Sequence, residues 1–146
     1  MSGISLASDR AIVATLIGFS TQDGGRSLAA AFRVETLVRM AIQREWAINL
    51  GRRVALERVA HLLCEVFERL RAVGLLEGGK SCAFPITQMD RADASGLSVV
   101  HVNRTIQELR AGNLIVLRER TLTINDFDTL KNLALFSPSY LHLRAE

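Results

Sequence analysis

The sequence has few of the residue types that carry covalent, metal or redox chemistry. Its 146 residues include two cysteines, Cys64 and Cys82, without the C-x-x-C spacing of a metal-binding knuckle. Cys64 lies in an apolar stretch typical of a helix and is predicted to be a small buried hydrophobe. No Ser/His/Asp or Cys/His set has a spacing suited to nucleophilic catalysis, and the carboxylates are scattered. The sequence therefore predicts no enzyme, no metal site and no cofactor.

Long apolar runs are absent as well. The longest run of interest covers residues 11–19, whereas a helix that crosses a bilayer needs about 20 apolar residues. A signal peptide is disfavoured because Asp9 adjoins Arg10 and polar residues interrupt the region before the small residues at 28–31. With 49% apolar and 23% charged residues, the composition is that of one globular domain, alone or with an appendage. We expect a cytoplasmic protein with no membrane partner.

Lysine is scarce, although the formal net charge is +3. Of the 18 basic residues only Lys80 and Lys131 are lysine, and the rest are arginine. The planar guanidinium suits phosphates and guanine edges, which favours an anionic partner such as nucleic acid. A GC-rich genome explains the arginine content equally well, so composition alone leaves both interpretations open.

The front third of the chain differs from the rest. Residues 1–26 are predicted to be a short segment with one candidate helix, and residues 27–50 a long helix that Ser27 caps. Residues 28–50 contain no glycine or proline and would form about 34 Å of helix. Little chain precedes this helix to cover its apolar stripe, so we predict a dimer interface with a second copy, over the alternative of an ordinary core helix. The predicted interface residues are Val34, Leu37, Val38, Ala41 and Ile48.

Residues 87–112 have the pattern of two helices joined by a glycine turn. Thr87 is a candidate cap for a helix that runs to Ala94, and Ser98 is a candidate cap for a second helix over 99–111. Apolar residues of the second helix form an inward stripe at positions 102, 106 and 109. Asn103 and Arg104 lie near its start, and these residue types read adenine and guanine edges in a major groove.

Two β-rich runs follow the second helix. Residues 114–117 and 121–124 are joined by 118–120, which predicts a hairpin with basic residues Arg118 and Arg120 at its tip. These arginines are expected to contact phosphate and to set affinity rather than sequence choice. Asp126 then caps a last helix. The predicted fold is mainly α with a small β-hairpin wing: a winged helix-turn-helix domain over 51–146, preceded by the long dimerisation helix.

The residues carry a resemblance to the Crp/Fnr transcription regulators over about 28–143. Residues 97–110 (LSVVHVNRTIQELR) and 122–126 (LTIND) are similar to the DNA-binding domain of that family. Residues 44–53 (REWAINLGRR) and 57–65 (ERVAHLLCE) resemble its central helix and the helix that follows. The resemblance implies a bacterial regulator that binds double-stranded DNA as a homodimer, with full-length family members or RNA polymerase as candidate further partners.

The resemblance also assigns roles to individual residues of this chain. Position by position, the family's base-contacting sites fall on Val99, Val100, Asn103 and Arg104. Its phosphate-contacting sites fall on Thr87, Gln88, Ser98 and His101. An ordinary surface role for His101 remains an equal alternative. His61 is expected to hydrogen-bond locally within a core helix, and Trp46 to pack at the dimer or domain junction.

Three departures from the family pattern matter. The family carries an N-terminal β-roll that binds a cyclic nucleotide or another effector, and residues 1–27 are too few to hold one. Arg91 occupies a position where the family's first helix usually has leucine or isoleucine, so it is expected either to extend outward or to weaken the packing. Val100 replaces an acidic base reader of several members, and its methyl groups suit a thymine methyl instead.

The leading hypothesis is a dimer that binds a two-fold operator with half-sites about 34 Å apart. The alternative is a protein–protein module in which a truncated regulator pairs through helix 27–50 with full-length relatives. A third hypothesis is a decayed or mis-started reading frame. The pattern leaves the operator sequence and the direction of regulation open.

Overall fold

The structure, a computed structural model, describes residues 24–143. The helix predicted within residues 1–26 lies largely outside this range. The elements in chain order are the helices and strands α1 (Gly24–Arg52), α2 (Ala55–Ala72), β1 (Ser81–Ala83), α3 (Gln88–Ser95), α4 (Val99–Ala111), β2 (Ile115–Arg118), β3 (Thr121–Ile124), α5 (Phe127–Leu133) and a 3-10 turn (Pro138–Leu141). Contacts divide the chain into two units, with the boundary between Ala41 and Ile42.

Helix α1 is longer than the sequence predicts and does not end at Gly51. One glycine in a last turn costs a helix only about 1 kcal/mol, and here the helix continues to Arg52. The chain leaves the helix at Arg53, whose buried side chain donates to Glu45 Oε1 at 2.7 Å and to the Leu135 carbonyl at 2.9 Å. The Arg53 carbonyl in turn accepts from Arg58 Nε at 2.7 Å. These contacts define the bend between α1 and α2.

The hydrophobic core of the second unit is built around α2. This helix packs against α3, α4 and α5, and its buried apolar face includes Val59, Leu63 and Phe67. Phe67 stacks on Phe127 of α5 with ring centroids 5.3 Å apart. Full burial of one such side chain stabilises the fold by roughly 1.5–3 kcal/mol, so this face holds the three later helices against α2.

A three-stranded antiparallel sheet covers one side of the helices in the order β1-β3-β2. The predicted hairpin is confirmed as β2 and β3, with Leu117 opposite Leu122 and Arg118 opposite Thr121. Strand β1 adds a third partner that the sequence did not predict, and Cys82 lies opposite Leu122 with both side chains fully buried. Strand β3 is central, so it pairs with β2 of the hairpin on one edge and with β1 on the other.

The two cysteines are free and buried, as predicted for Cys64. Burial, together with the Glu68 carboxylate, raises the pKa of the Cys64 thiol to about 12. Burial also raises the pKa of the Cys82 thiol. A thiol with a raised pKa is a poor nucleophile and metal ligand, so both residues act as packing groups.

Candidate nucleic-acid interface

Helices α3 and α4 are joined by a tight turn that requires glycine. Gly96 has a φ of 60°, in the left-handed region, and its N–H bonds to the carbonyls of Ala92 and Asp93. A Cβ at this position would lie 3.3 Å from Cδ2 of Leu50, so space as well as conformation favours glycine. The turn fixes α4 relative to α3, which is the structural requirement of a helix-turn-helix.

The predicted caps of both helices are confirmed. The Thr87 hydroxyl accepts from the Asp90 N–H at 3.1 Å and donates to Asp90 Oδ2 at 2.7 Å, while the Thr87 N–H donates to the same oxygen. These bonds hold the pKa of the Asp90 carboxyl below its usual range. At α4, the Ser98 hydroxyl accepts from the His101 N–H at 3.3 Å. The hydroxyls of Thr87 and Ser98 are therefore both engaged at exposed helix starts.

Helix α4 has one buried face and one exposed face. The predicted inward stripe is confirmed, since Val102, Ile106 and Leu109 are all buried. On the other face Val100 is 80% exposed, and His101 and Arg104 are also exposed. The exposed face carries polar and apolar groups together on a helix that the core holds firmly.

The predicted base-contacting residues differ in their exposure and in the hydrogen bonds that they form. Val99 is half-buried and packs against the core, whereas Val100 has no such cover. Asn103 donates from Nδ2 to Gln88 Oε1 at 3.2 Å, which joins the two helices across the exposed side. Arg104 Nε lies 3.2 Å from Glu108 Oε1, with both side chains largely exposed. Weak exposed bonds of this kind are readily exchanged for a ligand.

The wing tip brings two arginines beside α4. Glu119 and Arg120 form the two-residue loop between β2 and β3, and both have positive φ, at 47° and 63°. This is the backbone twist that suits a two-residue hairpin. Arg118 and Arg120 are exposed there, as the predicted phosphate contacts require.

A cleft of about 260 Å³ lies among α3, α4 and the wing. It brings together four of the predicted site residues, namely Gln88, Asn103, Arg118 and Arg120. The other predicted residues do not line it: Thr87, Ser98, Val99, Val100, His101 and Arg104 lie elsewhere on the exposed ends and face of α3 and α4. The full lining is Phe84, Ile86, Gln88, Arg91, Asn103, Ile106, Gln107, Arg110, Leu117, Arg118, Glu119 and Arg120.

Arg91, Gln107 and Arg110 line the cleft, although the sequence predicted no DNA contact for them. Gln107 and Arg110 follow Asn103 by four and seven positions, and residues at these spacings share a helix face. This spacing is visible in the sequence and could have placed both residues on the same side of α4 as Asn103. For Arg91 the sequence indicates only a departure from the family pattern. Its side chain is 7% exposed, so the expectation that it extends outward into solvent is wrong.

The residues predicted for the dimer interface lie on α1 and differ in exposure. Val34 is 61% exposed and Leu37 is 64% exposed, while Val38 and Ala41 are half-buried. These four residues belong to the first unit, and Ile48, also half-buried, belongs to the second. Phe32 and Met40 add further exposed apolar surface.

Within residues 24–143, no group of three or more His, Cys, Asp or Glu side chains is placed to hold a metal ion. None of the helices in that range is long and apolar enough to cross a membrane.

A helix-turn-helix followed by a β-hairpin defines the winged helix-turn-helix class, and the predicted fold is confirmed. The Crp-like helix-turn-helix domain family matches residues 57–133. The chain therefore belongs to the Crp/Fnr family, as the resemblance implied. Members of this family are transcription regulators and not enzymes.

Two curated relatives are similar to the chain in sequence. The transcriptional activator protein FnrL of Cereibacter sphaeroides is 34% identical over 98 residues, which cover 65% of this chain and 40% of the relative. The nitrogen fixation regulation protein FixK of Rhizobium meliloti is 32% identical over 113 residues, covering 77% of this chain and 49% of the relative. The chain thus spans at most about half the length of these two relatives.

Solved structures have the same fold. FixK2 from Bradyrhizobium japonicum is 25% identical, with a TM-score of 0.65 over 73% of this chain and 52% of that one. A CRP-family transcriptional regulator from Thermus thermophilus is 17% identical, with a TM-score of 0.59 over 81% of this chain and 57% of that one. The second likeness concerns the fold alone.

Proposed function

We propose that this chain regulates transcription by binding a two-fold DNA operator as a dimer, with one α4 helix in the major groove of each half-site. The observation that carries the proposal is the exposed face of α4, which presents Val100, Asn103 and Arg104 from a helix fixed by its buried stripe. A fixed helix holds base-reading groups in register, while flanking contacts to phosphate set the orientation.

The site residues divide by the part of DNA that each one contacts. Asn103 suits adenine and Arg104 suits guanine, because each forms a bidentate pair with that base, and Val100 suits a thymine methyl group. The half-buried Val99 completes the base-contacting set at the start of the helix. The phosphate-contacting set is Thr87, Gln88, Ser98, His101, Arg118 and Arg120.

Dimerisation is proposed through the apolar stripe of α1. Exposed Val34 and Leu37 lie three residues apart and continue to Val38 and Ala41, so they form one stripe along the helix. A second copy of the same helix can cover such a stripe, because a two-fold symmetric pair brings the same apolar patch of both copies together. The half-sites are then expected about 34 Å apart. A regulator of the chromosome acts in the cytoplasm, and we place the protein there.

The test is selection from random duplexes with the purified protein, at stated salt, combined with a mass measurement in solution. We expect a palindromic site with half-sites one helical turn apart and a mass of two chains. Recovery of unrelated sequences, or a monomeric mass at the concentration that binds DNA, contradicts the proposal.

A second candidate function uses the same stripe on α1. In this alternative the chain pairs with longer members of its family and alters their activity, because an exposed stripe accepts a partner that carries a similar helix. Co-purification of this chain with a tagged full-length relative, combined with no DNA shift by the homodimer, favours this function over operator binding.

A further inference from the structure

Arg91 of α3 is a buried cation without a counter-ion in the described part of the chain. Its side chain is 7% exposed, and its Nε has no hydrogen-bond partner. No carboxylate of residues 24–143 forms an ion pair with it. Burial lowers the pKa of its guanidinium, but an arginine starts from so high a value that it stays protonated. A buried charge of this kind is costly unless something pairs with it.

The cleft that Arg91 lines is strongly positive. Four arginines and one glutamate line it, so the lining carries a formal net charge of +3 from four positive charges and one negative charge. Three amide side chains, Gln88, Asn103 and Gln107, add further donors. Guanidinium groups bind oxyanions through paired N–H donors, so the lining matches a compact anion that has several acceptor oxygens.

The position of the cleft indicates where such an anion comes from. Asn103 and Gln88 line the cleft and belong to the exposed side of the two helices that we propose to face DNA. Arg118 and Arg120 of the wing line the same cleft. A DNA strand that passes between a recognition helix and a wing carries one phosphate per nucleotide past this opening.

We propose that this cleft seats one backbone phosphate of the bound duplex, and that Arg91 and Arg110 are its ligands in addition to the wing arginines. The inference rests on the proposed function, because it takes the phosphate from operator DNA. It assigns Arg91 to DNA binding, where the family pattern has an apolar core residue.

The experiment measures the salt dependence of binding to a selected duplex for three proteins. Arg91→Leu removes the buried charge and keeps an apolar side chain of the kind that the family has at this position. Arg52→Leu removes one exposed charge outside the cleft and serves as the charge-matched control. Arg110→Gln tests the same phosphate from α4 and replaces Arg91→Leu if that variant fails to fold.

We expect the plot of log affinity against log salt to become shallower by about 0.9 for Arg91→Leu and for Arg110→Gln, which is the loss of one phosphate contact. At about 0.1 M salt this slope corresponds to roughly eightfold weaker binding. The Tm of Arg91→Leu is expected to stay level or to rise, since an unpaired buried charge is replaced. A slope equal to that of Arg52→Leu overturns the inference and leaves the proposed function standing.

A titration with inorganic phosphate separates the two sources of phosphate. It is followed through the NMR signal of the Arg91 Nε–H in the full chain. If the wild-type protein selects no duplex, the proposed function fails. In that case the titration alone decides what the cleft binds. A phosphate-induced shift of the Arg91 signal overturns the DNA backbone as the source and assigns the cleft to a free phosphate group. If the signal does not shift in that case, the cleft is not a phosphate site, and the inference is overturned.

Discussion

The hydroxyl of Tyr140 lies 3.1 Å from Nε2 of His61 and determines which ring nitrogen carries the hydrogen. The same hydroxyl donates to Glu65 Oε2 at 2.7 Å, and a phenol has a single hydrogen to donate. The Tyr140 oxygen therefore accepts from His61, so Nε2 bears the hydrogen and Nδ1 carries the lone pair. Within residues 24–143 no donor reaches Nδ1. The ring is a neutral, fully buried group held through one nitrogen.

The state of His61 predicts that acid weakens the fold. Burial, and secondarily the positive charge of Arg53, lowers the pKa of His61 from 6.5 to about 4. Above pH 6.5 the ring is neutral in both folded and unfolded chains, so it does not affect the free energy of unfolding. As the pH falls from 6.5 towards 4, the unfolded chain takes up a proton that the folded chain does not. This lowers the free energy of unfolding by up to roughly 3 kcal/mol.

Urea denaturation at neutral pH and at about pH 4.5 measures this loss. His61→Gln is the control, because its amide still donates to Tyr140 but does not titrate. We expect the loss between the two pH values to be smaller in the variant than in the wild type. Equal losses in both proteins would place the acid sensitivity in other groups.

Arg104→Ala is expected to weaken binding to the selected operator by about 1–3 kcal/mol and to relax the preference at one base position. The side chain is 78% exposed and its partner Glu108 is also exposed, so the free energy of unfolding should change by less than about 0.5 kcal/mol. Binding is measured by fluorescence anisotropy on the selected site and on single-base variants of it.

Glu108→Gln is the matched control for Arg104. It removes the carboxylate that competes for the guanidinium, so affinity should stay level or rise. Wild-type affinity and an unchanged base preference in Arg104→Ala would remove Arg104 from the base-contacting set.

The sequence predicted the features whose cause is local. The caps Thr87, Ser98 and Asp126 bond to N–H groups three residues later, and such bonds can be predicted from short spacings. The stripe of α4 follows from its period, because every inward position meets the core.

The features that the sequence missed depend on distant partners. Strand β1 exists because residues 81–83 pair with 121–123, and nothing near β1 encodes that pairing. His61 was expected to bond locally, yet its hydrogen-bond partner Tyr140 lies 79 residues further along the chain. The burial of Arg91 likewise depends on the packing of α3 against α2 and α4, and residues near Arg91 in the sequence do not encode that packing.

Leu135→Gly is expected to stabilise the fold. Leu135 follows α5 with a φ of 49°, and the next N–H bonds back to the Lys131 carbonyl at 3.0 Å, which is the helix end that usually has glycine. Left-handed backbone costs a non-glycine residue about 1–2 kcal/mol, and glycine loses about 0.5–1 kcal/mol through its unfolded state. The side chain is 64% exposed, so little packing is lost, and the net gain is about 0.5 kcal/mol.

Thermal unfolding of a three-member series tests this prediction. Leu135→Asn, which also tolerates positive φ, should resemble Leu135→Gly, and the β-branched Leu135→Val should be less stable than the wild type. The carbonyl that accepts from Arg53 is backbone and persists in each variant. A Tm for Leu135→Val at or above that of Leu135→Gly would contradict the assigned strain.

The wing tip combines backbone strain with charge. Substitutions at its two positions should therefore have the same effect on stability and different effects on DNA binding. Glu119 and Arg120 both have positive φ, for which asparagine followed by glycine is preferred. Glu119→Asn and Arg120→Gly are each expected to raise the free energy of unfolding by about 0.5–1 kcal/mol. Arg120→Gly should nevertheless bind the operator more weakly, with a salt slope shallower by about 0.9, because one phosphate contact is lost.

Glu119→Asn is the internal control, because it relieves the same turn and removes a negative charge from the wing. Its affinity for the operator should equal or exceed that of the wild type, while its stability rises in parallel with Arg120→Gly. Chemical denaturation and anisotropy on the same preparations give both quantities. Arg120 serves DNA binding at the expense of stability only if the two variants agree in stability and diverge in affinity. A parallel change in affinity would show that the turn acts through its shape and not through the charge of Arg120.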